Sequence, residues 1–150
     1  MSFKLDYEEP VPQVVNRLRN EHAELHSKLE RIVEEVKKDN LEVAISLLNL
    51  VKPQILRHAV EEEARLARSI MQECKDESGP SIEVLQQHRR IEEFLQNKLP
   101  YLGDLPKAKT RKEIEEFVNE LGKHHSEEEA FVFPLALKSD ALNAQKRKCD

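Results

Sequence analysis

The chain carries one metal-ligand phrase twice. His22 is followed by His58 and, four positions later, by Glu62; His88 is followed by His124 and, four later, by Glu128. A shift of 66 residues lays the first triplet on the second. Imidazole and carboxylate form the donor set of a non-haem metal site, and its duplication implies four ligand-bearing segments from two related halves. Burying carboxylates costs several kcal/mol each unless a cation or a strong partner compensates. No Lys or Arg falls on the inward stripes near Glu62 and Glu128, so a metal is the favoured counter-charge, against the alternative of a metal-free polar core.

Spacing separates these residues from their neighbours. In Glu61-Glu62-Glu63 and Glu127-Glu128-Glu129 only the middle member lies one helical turn beyond the histidine, so the flanking carboxylates are expected in solvent. Of His124 and His125 only His124 continues the apolar steps of three and four, which puts His125 at the rim. Six ligands are too many for one four-coordinate zinc and suit two metal ions with open positions for water, an oxo or hydroxo bridge, or a small exogenous ligand. Imidazole plus carboxylate suits iron, with zinc or manganese as substitutes.

Four amphipathic stretches must position these groups. Val14, Leu18, Leu25, Leu29, Ile32 and Val36 form the first stripe, with His22 in its gap. The second runs Leu41, Ala44, Leu48, Val51, Ile55, His58, Glu62, Leu66, Ile70, with Pro53 inside it as a kink that curves the helix or aims His58. The third, after Ser78-Gly79-Pro80, is Leu85, His88, Ile91, Leu95, Leu99. The fourth, after a loop from Gly103 to Lys109, is Ile114, Phe117, Leu121, His124, Glu128, Phe131, Leu135, with Pro134 marking a bend or fray. Asp39 with Glu42, and Thr110 with Glu113, are placed as capping boxes.

In an antiparallel helix pair, residues equidistant from the turn lie side by side. The midpoint of His22 and His58 is Asn40, and that of His88 and His124 is Pro106, each in an expected turn. The central connection fits less well: a turn centred near Ser78 sets His88 opposite Arg68 rather than His58. The second helix must overrun, or the connection must climb.

Composition agrees with an all-α fold. The 150 residues are 35% charged, with 3 Gly and no Trp, as expected of one domain with a core over residues 11–137 and a polar tail over 138–150. The net charge of -5 comes without a basic patch, which argues against nucleic acid as a partner. No apolar run approaches a membrane span and no signal peptide or lipidation motif is visible, so the expected location is cytoplasmic, without a membrane partner. Cys74 and Cys149 form no CxxC unit and read as reduced thiols, Cys74 buried and Cys149 in the tail.

The order His, His-x3-Glu, His, His-x3-Glu resembles the hemerythrin-like family, also called the HHE cation-binding domain. The stretch from His124 through Glu128 to Pro134 is similar to the family's fourth-helix signature, and His58-Ala-Val-Glu-Glu62 to its second; the resemblance covers residues 11–136. It implies an up-down-up-down antiparallel four-helix bundle around a carboxylate-bridged di-iron centre. His22, His58, His88 and His124 would be terminal ligands, and Glu62 and Glu128 the bridges.

Two departures stand out. Oxygen-carrying hemerythrins have a second third-helix His where this chain has Glu92, and an Asp five residues after the last ligand His where this chain has Glu129. Simple oxygen carriage is therefore in doubt. His26, which the 66-residue shift maps onto Glu92, shares with it three readings: an extra ligand, a group that orients a ligand imidazole, or a solvent-facing flank residue.

The expected function is a non-haem di-iron protein that binds or reacts with a small oxidant (dioxygen, peroxide or nitric oxide), or senses iron or oxygen. Any catalytic activity would be oxidant scavenging. The alternative is a metal-stapled or metal-free helical interaction module without redox chemistry. No nucleophile motif or Gly-rich phosphate loop points to a separate organic substrate.

Overall fold

The structure, a computed structural model, describes residues 4–149 and the side chains of residues 4–146. Among these there is no strand, and four helices make up nearly all of the chain. The first is Val11–Lys37. The second passes through Leu41–Glu61, Glu62–Ala67 and Arg68–Glu73. The third joins Gly79–Gln86, His88–Glu93 and Phe94–Lys98, and the fourth Lys107–Glu127, Glu128–Val132 and Phe133–Cys149. Glu62–Ala67, Phe94–Lys98 and Glu128–Val132 are π-helical turns inside otherwise α-helical rods.

Helix ends differ from the capping boxes expected. Asp39 has φ 63 and closes the first helix instead of opening the second. The Asn40 N–H donates to the Glu35 carbonyl (2.8 Å) and the Asp39 N–H to that of Val36 (3.0 Å), the paired bonds of a Schellman turn. No side chain caps the second helix at Asn40. Thr110 also fails as a cap: Pro106, with its fixed φ, precedes a helix that already starts at Lys107, and the buried Thr110 hydroxyl donates to the Leu102 carbonyl at 2.7 Å.

Two apolar clusters hold the rods together. One combines Leu25, Leu29, Ile32 and Val36 with Leu48, Val51, Ile55, Leu95, Leu99, Ile114, Phe117 and Leu121. The other combines Val14, Val15 and Leu18 with Leu66, Ile70, Val84, Leu85, Val132, Phe133 and Ala136. Each fully buried Leu contributes about 2 kcal/mol relative to an exposed one. Along every rod the two clusters are separated by a metal-ligand candidate: His22 between Leu18 and Leu25, His58 and Glu62 between Ile55 and Leu66, His88 between Leu85 and Ile91, and His124 and Glu128 between Leu121 and Val132.

The π turns correct the expected fourth stripe. Phe131 is 49% exposed, while Val132, Phe133 and Ala136 are fully buried. A π turn takes more residues than an α turn, so the inward face after Glu128 falls one position later than α periodicity places it. Glu128, Val132 and Ala136 then repeat Glu62, Leu66 and Ile70 at the same 66-residue shift. Ser81 on the third helix donates its hydroxyl to the Phe131 carbonyl inside this turn at 3.2 Å.

The connection between the second and third helices also resolves the register problem. Its turn is Lys75–Glu77, and the midpoint of Glu63 and His88 falls between Lys75 and Asp76, so His88 meets the Glu62-Glu63 level rather than Arg68. The helix continues through Pro134 and past Lys138 where a tail was expected, with Ser139 buried, and Lys138 and Lys146 paired to Glu77 and Glu73. Cys74 is buried as expected, and the Cys149 side chain lies outside the described residues. No helix among the described residues is long and apolar enough to cross a membrane.

The phase shift has a direct test in two phenylalanines two positions apart. Phe133→Ala is expected to lower the unfolding free energy by about 3–5 kcal/mol, and Phe131→Ala by less than about 1 kcal/mol. Denaturant unfolding of both variants checks this, and equal losses would refute the shifted register.

Candidate metal centre

The polar layer between the two apolar clusters is built as two rings. His22, His58, His88 and His124 each turn Nε2 toward the centre and Nδ1 toward an outer acceptor. Outward, His22 faces Glu129 (3.1 Å), His58 faces Glu21 (2.8 Å), His88 faces Glu63 (3.1 Å) and His124 faces Gln87 (2.9 Å). Inward, Glu128 Oε1 lies 3.2 Å from His22 Nε2 and 3.3 Å from His124 Nε2, and its Oε2 lies 3.3 Å from His88 Nε2. Glu62 Oε1 lies 2.8 Å from His58 Nε2 and 3.7 Å from His88 Nε2. Each carboxylate thus spans histidines from both halves of the chain.

The outer ring fixes the proton positions. Carboxylates only accept, so His22, His58 and His88 must donate through Nδ1–H. Gln87 could face either way, but its Nε2 donates to Glu127 at 3.0 Å, which leaves its oxygen for the Nδ1–H of His124. Orientation by such a second partner is how proteins hold imidazoles with Nε2 free for a metal.

Burial, reinforced by neighbouring imidazoles, holds His22 at about 3 and His124 at about 2, so both are neutral at ordinary pH. His124 Nε2 therefore aims a bare lone pair at a carboxylate oxygen. Among the described residues neither it nor Glu62 Oε2 has a hydrogen-bond partner, while Glu62 Oε1 lies 2.8 Å from His58 Nε2; Glu62 and Glu128 are fully buried. His58 behaves differently: burial pulls its value down, but the charge of Glu62 and the hydrogen bond to Glu21 outweigh burial and raise it to about 9. In the metal-free protein the His58 imidazolium is left facing buried Glu62.

Acceptors that face acceptors in a dry layer call for a cation. The ligand atoms of His22, His58, His125 and Glu128 all lie within 4.8 Å of one another, as do those of His88, His124 and Glu128. These buried His and Glu groups could hold a metal. Residues 80–148, which carry the third and fourth helices, match the family model of the hemerythrin HHE cation-binding domain. This stretch is hemerythrin-like. No curated protein and no solved structure matches the chain.

The hemerythrin-like half has its counterpart in the other, and the outer ring follows the same repeat. Glu21 precedes His22 as Gln87 precedes His88, and each holds the second histidine of its own half. Glu63 follows Glu62 as Glu129 follows Glu128, and each holds the first histidine of the other half. These four were missed because helical phase puts them off the stripe; their signal was adjacency to ligands at the same 66-residue shift. The expectation that the flanking carboxylates are solvated therefore needs correction. Glu63 and Glu129 are about half exposed yet bonded to ligand imidazoles, and Glu61 is buried in an ion pair with Arg17 at 2.5 Å.

His125 is also corrected. It is 8% exposed instead of at the rim, and its ring stacks on His22 of the first helix with centroids 4.0 Å apart. His26 and Glu92 lie outside the layer: His26 is exposed and paired with Glu30 at 3.0 Å, and Glu92 is exposed on the third helix.

Linkage sets the acid and base limits of the metal-free fold. His22, His124 and His125 have folded values well below the unfolded value of about 6.5, so the unfolded chain binds more protons below that pH and stability falls with acid. His58 is raised, so its contribution is present below about 6.5 and is lost as pH climbs through about 9. Thermal unfolding of the metal-free protein is expected to show a stability maximum near pH 6.5, falling on both sides. A profile still rising from there to about pH 9 would contradict the protonation scheme.

Proposed function

We propose that the whole chain is a hemerythrin-like, non-haem dinuclear iron protein that binds or reacts with a small oxidant such as dioxygen, peroxide or nitric oxide, or reports iron or oxygen through occupancy of its site. The observation that carries this reading is the inner ring, in which fully buried Glu128 faces the unprotonated Nε2 atoms of His22 and His124 while fully buried Glu62 lies against His58. His22, His58, Glu62, His88, His124 and Glu128 are the proposed ligands, with the two carboxylates between the ions.

The proposed topology is an up-down-up-down antiparallel bundle. Its support is the grouping of the core: one cluster combines residues beside the turn at Asp39 with residues beside the loop before Lys107, and the other combines the start of the first helix with residues flanking the Lys75–Glu77 turn. Such alternation sets all four histidines at one level.

A bound iron pair would supply electrons and a coordination position to a small oxidant. The chain's own contribution is positional. Glu21, Glu63, Gln87 and Glu129 fix each imidazole in the tautomer with Nε2 inward, and the two apolar clusters keep bulk water from the layer. Uptake of cations should release the Nε2 proton with which His58 faces Glu62, while the Nδ1–H stays hydrogen-bonded to Glu21.

Metal analysis with optical absorption tests the reading. Freshly purified protein is expected to hold about two irons per chain, with near-ultraviolet bands that respond to oxidant, and His88→Ala to lose metal and bands together. A folded protein that carries no metal, and whose melting is unchanged by added iron, would leave a metal-free helical module as the better description.

A further inference from the structure

The outer ring repeats in position but not in chemistry. Under the 66-residue shift Glu21 corresponds to Gln87 and Glu61 to Glu127, so the acceptor behind His58 is a carboxylate and the one behind His124 is an amide. The amide is self-sufficient. Its oxygen takes the Nδ1–H of His124 and its nitrogen donates to Glu127 at 3.0 Å, which closes a chain of bonds from imidazole to carboxylate across the third and fourth helices. Lys123, 3.9 Å from Glu127, lies outside that chain.

The first half cannot close the same chain by itself. Glu21 accepts from His58 at 2.8 Å, but a carboxylate has no N–H to offer Glu61. Arg17, one helical turn before Glu21, fills the gap. Its Nη1 lies 3.4 Å from Glu21 and 3.0 Å from Glu61, and its Nη2 lies 2.5 Å from Glu61 and 2.6 Å from Glu9. Glu61 is buried and immediately precedes Glu62. A planar guanidinium suits this place because one rigid fork serves more than one carboxylate and carries the charge that keeps them together. The shift carries Arg17 to Glu83, exposed on the third helix, so the second half has no guanidinium there.

We propose that Arg17 is a positioning residue: it supplies the donors that Glu21 lacks where the repeat has an amide, and so holds Glu21 behind His58 and Glu61 next to the start of the carboxylate pair. Its action runs through Glu21 and Glu61. The consequence for metal retention rests on the reading of the layer as a metal centre, whereas the linkage itself does not. Arg17 also ties down Glu9, ahead of the first helix, so anchoring of that segment alone is the competing account.

The repeat supplies the test, because Glu21→Gln gives the first half the amide of the second and should make Arg17 dispensable. Full-length protein with Arg17→Met, Glu21→Gln, both substitutions together, or Glu9→Gln is loaded with iron and challenged with EDTA. Circular dichroism confirms the fold, and thermal melting of the metal-free chains is a second readout. Arg17→Met is expected to weaken iron retention about tenfold and to lower the metal-free melting temperature. The double variant should return to within about threefold of Glu21→Gln alone and regain most of the lost melting temperature, and Glu9→Gln should stay within about twofold of wild type. If Arg17→Met does not fold, a double variant that folds and holds iron as Glu21→Gln does gives the same support. Arg17→Met indistinguishable from wild type, a double variant no better than Arg17→Met, or a loss in Glu9→Gln as large as that in Arg17→Met would overturn the positioning role and leave the metal reading intact. Wild-type protein that takes up no iron would overturn the metal reading, and the melting temperatures would then decide the linkage alone.

Discussion

The organisation of this molecule depends on one electrostatic constraint: two carboxylates, Glu62 and Glu128, are buried completely, and Glu128 faces the Nε2 atoms of His22 and His124, which cannot donate to it. In a layer whose burial holds His22 and His124 well below the ordinary imidazole value, facing lone pairs are expensive. The chain offsets part of that cost in the metal-free form with the proton on His58. A bound cation would remove the conflict and would couple the stability of the bundle to its occupancy.

The outer ring and the two apolar clusters follow from the same constraint. Nε2 can point at the centre of the layer only if Nδ1–H has an acceptor behind it, so each of the four histidines has a partner on another helix: Glu129 for His22, Glu21 for His58, Glu63 for His88, Gln87 for His124. These bonds tie helices together across the polar layer, where no apolar contact can do so. Above and below, the leucine-rich clusters do the remaining work and fix the height of the layer on each rod.

The π turns reconcile a ligand pair spaced for one helical face with a core that must close immediately beyond it. Starting at Glu62 and again at Glu128, each widens the helix at the ligand carboxylate and resets the inward face for the residues that follow. In the fourth helix the same reset buries Val132 and Phe133 and turns Phe131 outward. The repeat is exact in the six His and Glu residues of the inner ring and broken around them, with Glu21 matched by Gln87, and His125 and Phe133 by Ala59 and Ala67. A duplicated scaffold has in this way acquired two unlike sides.

What the sequence alone determined was the local and periodic content. The four helices, the inward placement of His22, His58, Glu62, His88, His124 and Glu128, and the duplication that relates them all follow from spacing, because helical periodicity and residue chemistry are properties of short segments. Only the tertiary structure decided the rest. Whether Glu63 and Glu129 are solvated or hold an imidazole depends on a neighbour more than twenty residues away, and whether His125 lies at the rim or in the layer depends on the His22 ring of the facing helix. Those outcomes are set by contacts between rods, which no periodicity within one rod can encode.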